Sequence, residues 1–201
     1  MDKLFYEYEK QKEGYFFIAG CDEAGRGPLA GPVVCASVIM PLNENDIIQG
    51  IDDSKKLSEK KRIELYNKII EKAISYKIAI ISEKIIDEIN ILNATKRCME
   101  EAINGLNQKP DFALVDAVKG LNLVCDYLPI IKGDALSYSI GCASILAKVT
   151  RDRLMEDYSK TYLNYGFEKH KGYGTKFHIE ALKRYGKCEI HRESFIKNFV
   201  N

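Results

Sequence analysis

Apolar residues in this chain fall into short compact runs, separated by longer stretches in which they recur every three or four positions. Tyr15-Phe16-Phe17-Ile18-Ala19-Gly20-Cys21 is one compact run of strand length, and residues 33–40, rich in β-branched side chains and closed by Pro41, form a second. A short loop containing Gly and Pro, residues 22–31, joins them, which predicts an antiparallel pair. Residues 76–81, 112–115 and 123–131 supply three more strands. Helical spacing begins at Ser58-Glu59-Lys60-Lys61 and runs to about residue 73, with Ile63, Leu65, Tyr66, Ile69 and Ile70 on one face. Long helices are expected over 82–106, ended by Gly105, Asn107 and Pro110, and over 135–158. A charged helix over 2–12, a polar loop over 43–57, a helix over 175–185 and one more short helix near the end complete the pattern.

Strands that first pair antiparallel and later alternate with helices indicate an α/β domain on a mixed sheet, finished by a helical C-terminal part. At 201 residues and 46% hydrophobic, the chain fits one domain that needs neither disulfides nor a structural metal. Residues 1–14 are expected as an N-terminal extension and 15–201 as the body. No apolar run approaches the ~18 residues of a membrane span, and the charged N-terminus lacks the apolar centre of a signal peptide. The six cysteines form no C-x-x-C pair and sit largely within apolar runs, so reduced, buried thiols and a cytoplasmic location are expected. Net charge is +1 and uninformative, but its distribution is not even. Residues 132–201 carry 13 Lys and Arg against 8 Asp and Glu, the remainder 17 against 21. A basic C-terminal part suits a polyanion held beside an acidic site, although ordinary solvated helix surface gives the same imbalance.

Three apolar runs end in acid: Cys21 leads into Asp22-Glu23, Val115 into Asp116, and Ile131 into Lys132-Gly133-Asp134. Ligands of open α/β sheets gather beyond the strand ends. If these ends lie together, four carboxylates converge, and like charges that close cannot all stay ionised unaided. A divalent cation resolves the conflict, and oxygen donors without a neighbouring His or Cys favour Mg²⁺ or Mn²⁺ over zinc. Two such ions about 4 Å apart suit phosphodiester hydrolysis without a protein nucleophile. Each acid alone fits a helix cap or a turn equally well, so the inference stands on convergence.

Gly25-Arg26-Gly27-Pro28-Leu29-Ala30-Gly31-Pro32 follows the first two acids. It lacks dinucleotide-loop spacing, a strand rather than a helix follows it, and no Gly-Lys-Ser/Thr occurs, so nucleotide-phosphate binding of those kinds is a poor reading. Glycine here would let backbone amides approach a ligand, and Arg26 offers a fork of donors. A plain hairpin turn is compatible with the same residues.

The stretch from Asp22 through Gly25-Arg26-Gly27 to Val33 resembles the opening signature of type 2 ribonuclease H, also called ribonuclease HII. Further matches follow in order: Asp53-Ser54-Lys55-Lys56-Leu57, Leu114-Val115-Asp116, Lys132-Gly133-Asp134, residues 143–152, His170-Lys171-Gly172-Tyr173-Gly174-Thr175 and His191-Arg192-Glu193-Ser194-Phe195. They span about residues 16–196. The resemblance implies a ribonuclease H-like fold, a mixed five-stranded sheet flanked by helices. It implies Asp22, Glu23, Asp116 and Asp134 as the catalytic, metal-binding set for two Mg²⁺ or Mn²⁺ ions. It also implies that Gly25, Arg26 and Gly27 read the 2′-hydroxyl that separates RNA from DNA, that Tyr173 stacks beside the following sugar, and that Lys55, Lys56 and Lys148 contact phosphates. The implied activity is endonucleolytic cutting of RNA in RNA/DNA hybrids and on the 5′ side of single ribonucleotides in duplex DNA. The products are a 3′-hydroxyl and a 5′-phosphate, and the implied role is ribonucleotide removal during DNA replication and repair. The expected partner is nucleic acid, with no membrane association and a monomeric state.

Some positions depart from the family pattern. Ala117 stands where glycine is expected and Gly141-Cys142 where alanines are usual, changes expected to affect packing only. His170 and His178 are expected to face the surface or phosphates, Asp152 to form a helix-surface ion pair, and Gly141 to Ser144 to let a helix pack closely on the sheet. The end of the chain, Phe195-Ile196-Lys197-Asn198-Phe199, has spaced aromatics but lacks the glutamine of a sliding-clamp motif. Three rival readings remain. The sister type 3 ribonuclease H carries a large extra N-terminal domain, where only 14 residues precede the first strand here. A non-catalytic hybrid-binding module would have lost at least one acid, and a small-molecule phosphatase would not need the basic C-terminal part.

Overall fold

A computed structural model describes residues 2–199. In chain order the elements are α1 (Phe5–Lys12), β1 (Ile18–Ala24), β2 (Val33–Ile39), α2 (Glu59–Lys72), β3 (Ser75–Ile81), α3 (Glu83–Asn104), β4 (Phe112–Asp116), β5 (Asp126–Ile130), α4 (Gly133–Leu136), α5 (Tyr138–Thr161), α6 (Phe167–His170), α7 (Lys176–Tyr185) and α8 (Glu193–Ile196). The five strands form one sheet in the order β3-β2-β1-β4-β5. β1 pairs antiparallel with β2 and parallel with β4, β2 pairs antiparallel with β3, and β4 parallel with β5. The mixed α/β sheet and the helical C-terminal part both follow the expectation.

Period-two alternation sends the two faces of the sheet into separate cores. Ala19, Cys21, Val33, Cys35, Ala113 and Val115 pack against α3 on one face. Ala36 and Val38 pack with α2 and α5 on the other. On that second face α5 comes so close that a Cβ added to Gly20 would lie 2.1 Å from the Ser139 carbonyl carbon. Cys142 and Ala143 pack with Ala36 and Val38 of the sheet as expected, whereas a Cβ on Gly141 would meet Ile51 Cγ2 at 2.8 Å rather than a strand, and Ser144 does more than pack.

Helix starts follow side-chain chemistry. Ser58, Ser82, Ser137 and Thr175 each accept a hydrogen bond from the amide three residues on, capping α2, α3, α5 and α7. Ser137 also breaks the helix expected over 135–158 into α4 and α5. The helix expected over 82–106 is interrupted at Asn90, whose φ of 66° lies in the left-handed region; its Oδ1 caps the second half by accepting from the Asn93 amide at 3.1 Å. The short α6 has no counterpart in the sequence pattern. α1 is bonded to the start of α5: the buried Glu7 carboxylate accepts from Ser137 Oγ at 2.6 Å and Ser139 N at 2.8 Å. Among the described residues, no helix is long and apolar enough to cross a membrane.

Candidate active site

The sheet register brings the first acids together. Cys21 on β1 lies beside Val115 on β4, which runs parallel, so Asp22 and Asp116 are the next residues of adjacent strands. The acid pair at 22–23 was expected in the loop after the strand. It sits instead inside β1, because the ladder with β2 continues through Asp22, Glu23 and Ala24 after the pairing with β4 has ended. One carboxylate oxygen from each of Asp22, Glu23 and Asp116 can be chosen so that all three lie within 4.8 Å of one another. Asp134, in the first turn of α4, stands outside that tight triplet but lines the same cavity of about 590 Å³.

Local structure holds these acids in place. Asp22 accepts from the Glu23 amide at 2.6 Å, and Asp116 accepts from the Gly133 amide at 2.7 Å. Glycine at 133 leaves room for this bond, since a Cβ there would lie 2.6 Å from Ile140 Cδ1 and 3.2 Å from Asp116 Oδ1 and would make both side chains give way. The electrostatics are those of crowded anions. Burial, then the charges of Glu23 and Asp116, pushes the Asp22 carboxyl well above the usual carboxylate range, against the steadying Ser144 hydroxyl. Burial raises Asp116 to about 6, Glu23 and Asp134 add to the rise, and the Gly133 N–H opposes it. Burial lowers Lys55, but the charges of Asp134 and Asp22 outweigh that and leave it above its ordinary value. Glu23 Oε2 is buried and has no hydrogen-bond partner among the described residues. A buried oxygen left unpaired beside two more carboxylates is a donor set waiting for a hard cation.

The cavity wall carries Gly25, Arg26 and Gly27 from the loop after β1, with Lys55, Lys148 and Tyr173. A Cβ on Gly27 would come within 3.9 Å of the Tyr173 ring, so loop and ring face each other across a narrow gap. Lys148 also bonds Asp152 at 2.7 Å, so the expected ion pair of Asp152 has Lys148 as its partner. Lys56 does not line the cavity; it stands in solvent, 4.0 Å from Asp52.

A search with family sequence models matches residues 19–198 to the one described as Ribonuclease HII. The chain belongs to the ribonuclease HII family. Among curated relatives, a ribonuclease HII of Ruminiclostridium cellulolyticum is 58% identical over 98% of this chain and 76% of its own length. One from Caldicellulosiruptor bescii is 55% identical, covering 100% of this chain and 97% of its own. Among solved structures, the ribonuclease H2 of Pyrococcus horikoshii superposes with a TM-score of 0.75 at 30% identity, over 89% of this chain and 93% of the other. Ribonuclease HII membership makes the protein an endonuclease of the ribonuclease H type, acting on nucleic acid, and makes the fold ribonuclease H-like.

Several cavity residues were not singled out by sequence. Ser54 and Ser144 share a hydrogen bond at 3.0 Å beside Asp22, and Arg62 on α2 donates to Ser54 O at 2.9 Å. A serine inside the apolar start of α5 was the available signal for Ser144. No pattern marked Arg62. His178, expected to face the surface or phosphates, is buried instead, because α7 turns His178, Ala181 and Leu182 to one inward face. The Cys188 amide donates to His191 Nδ1 at 2.9 Å, so His191 Nε2 carries a proton and donates to His178 Nε2 at 3.0 Å. His178 Nδ1 then donates to the Tyr173 carbonyl at 2.9 Å. His170 is half-buried and stacks on His178, with ring centroids 4.5 Å apart.

Proposed function

We propose that this protein hydrolyses the RNA strand of RNA/DNA hybrids and cuts on the 5′ side of single ribonucleotides embedded in duplex DNA, leaving a 3′-hydroxyl and a 5′-phosphate. The observation that carries the reading is the meeting of Asp22, Glu23 and Asp116 within 4.8 Å, in one cavity with Asp134, the glycine loop and Tyr173. The donor set suits Mg²⁺ or Mn²⁺. It is all oxygen, it is crowded enough to raise Asp22 and Asp116, and it includes the unpartnered Glu23 Oε2. Asp22, Glu23, Asp116 and Asp134 are assigned to hold the ions, which when bound as a pair would supply an activated water and stabilise the leaving oxygen.

This chain's own residues do the rest. The Gly133 and Glu23 amides fix the directions of Asp116 and Asp22. Lys55 offers its charge to a phosphate at the cavity mouth, and Lys148 adds a second cation. Gly25, Arg26 and Gly27 are assigned to read the 2′-hydroxyl, and Tyr173, 44% exposed, to stack against the neighbouring sugar. Lys56, out in solvent, is assigned only to longer-range attraction of the phosphate backbone. The reading extends to a monomer that removes ribonucleotides from replicated DNA, and the six cysteines, none in a disulfide, suit a reducing compartment.

The test is gel analysis of an end-labelled DNA duplex carrying one ribonucleotide. Cleavage on its 5′ side with Mg²⁺ or Mn²⁺, and none with chelator, is expected. An intact single-ribonucleotide duplex, with cutting only of longer RNA stretches, would replace this reading by the type 3 one.

A further inference from the structure

Two buried guanidiniums lie behind the glycine loop and touch none of the four acids. Arg151, on α5 and 1% exposed, donates from Nε to Pro32 O at 3.0 Å, from Nη2 to Ala30 O at 3.0 Å and from Nη1 to Lys171 O at 2.9 Å. Arg192, just before α8 and 0% exposed, donates from Nε to Gly31 O at 2.9 Å, from Nη1 to Arg26 O at 3.0 Å and from Nη2 to Gly25 O at 2.6 Å. Among the described residues, neither forms an ion pair with a carboxylate. Burying a cation on carbonyls alone is costly, so the geometry it enforces is the feature that needs explaining.

That geometry follows from peptide planarity. In a trans peptide, the carbonyl of one residue and the amide of the next point in opposite directions. Arg192 draws the Gly25 and Arg26 carbonyls inward, and the Arg26 and Gly27 amides are therefore turned away from it. No acceptor among the described residues takes either amide, and both residues line the cavity. Arg151 braces the other side of the gap: its guanidinium lies 5.9 Å from the Tyr173 ring centroid, and it holds the Lys171 carbonyl two residues earlier. Gly25 is confined from behind by the same side chain. A Cβ there would lie 2.1 Å from Arg151 Nε, and its φ of 100° favours glycine independently.

We propose that Arg192, with Arg151 behind it, is a positioning residue for ribonucleotide selection, aiming the Arg26 and Gly27 amides as a fixed pair of donors for the sugar hydroxyl. The proposal rests on the function proposed above and deepens it. Neither arginine touches substrate; each acts through the backbone it holds.

The experiment compares the wild type with Arg192→Lys and Arg151→Lys, which keep the charge but lose the planar fork. Three quantities are read: kcat/KM on a duplex with one ribonucleotide, the inhibition constant of the same duplex made wholly of DNA, and Mn²⁺ affinity by calorimetry. Ile103→Ala, a cavity mutation under the opposite face of the sheet, controls for lost stability. The expected result is a fall of at least tenfold in kcat/KM for each lysine variant, with DNA inhibition and Mn²⁺ affinity within twofold of wild type. Ile103→Ala should keep the wild-type ratio of the two duplex constants. An unchanged ratio in folded lysine variants, or an equal fall in Ile103→Ala, overturns the proposal. If circular dichroism shows Arg192→Lys unfolded, Arg192→Gln, which retains an amide donor, is read by the same criteria. A wild type that ignores the ribonucleotide would instead sink the underlying reading of function.

Discussion

Crowded carboxylates should make the metal-free protein less stable than it would be without them, and Asp116→Asn tests this without any catalytic assay. Asparagine keeps the oxygen that accepts from Gly133 N and removes one negative charge from the cluster. The folded-state pKa of Asp116 is raised from 3.8 to about 6. A raised acid binds its proton more tightly in the folded state, so its contribution favours folding below the unfolded pKa and is lost as pH rises through the folded one. Two pKa units correspond to about 3 kcal/mol. Asp116 still faces water in part, and solvent screening reduces the expected effect to about 1.5 kcal/mol. In a domain of this size that is a rise in Tm of about 3–6 °C for Asp116→Asn in chelator at pH 7.5. At pH 4, close to the unfolded pKa of 3.8, the carboxyl takes up its proton in both states and most of the difference should be gone. Adding Mn²⁺ should reverse the order, since binding at a hundredfold excess over Kd contributes about 2.7 kcal/mol to a wild type that retains all its ligands. Differential scanning fluorimetry across the two pH values, with and without Mn²⁺, reads all three effects. An asparagine variant less stable than wild type in chelator at pH 7.5, or equally shifted at pH 4, would refute the reasoning.

Three further predictions concern the frame around the cluster. Ala117 has φ of 52° and is exposed, so Ala117→Gly should stabilise the protein by about 1 kcal/mol in urea denaturation and leave cleavage unchanged. Gly20→Ala should cost about 3 kcal/mol and lower kcat as well, because the new Cβ meets the backbone of α5 and moves β1, which carries Asp22, against Ser144. Burial lowers His178 and His191 to about 4, so the stability they confer is complete above their ordinary pKa of 6.5 and is lost as pH falls from there towards 4. Urea midpoints at pH 7.5, 5.5 and 4.5 should show that loss, and a His191→Gln variant should show less of it.

The strands were legible because their apolar runs are short and bounded by Gly, Pro and acid, and the acids at three run ends pointed to the cluster before any coordinates. Boundaries were less legible. The end of β1 was read at Cys21 because acids rarely continue a strand, yet pairing with β2 carries Asp22 and Glu23 onward in the ladder. The breaks at Asn90 and Ser137 were missed because apolar spacing runs through both, and only the backbone turn at Asn90 and the cap at Ser137 reveal them. Ala117 was read as a packing change, whereas its left-handed backbone makes it a conformational one. Arg151, Arg192, His178 and His191 were the least legible of all. Charged and polar letters near a basic C-terminal part look like solvated surface, and only tertiary contacts disclose that they are buried behind the loop and Tyr173.

Four carboxylates from three separate stretches of the chain are proposed to hold the ions used to cut the phosphodiester bond. Measuring cleavage and binding side by side for Asp116→Asn, on an end-labelled duplex with one ribonucleotide in Mg²⁺, tests this most directly. The account predicts no cleavage with duplex binding within a few-fold of wild type; full cleavage by the variant would contradict it.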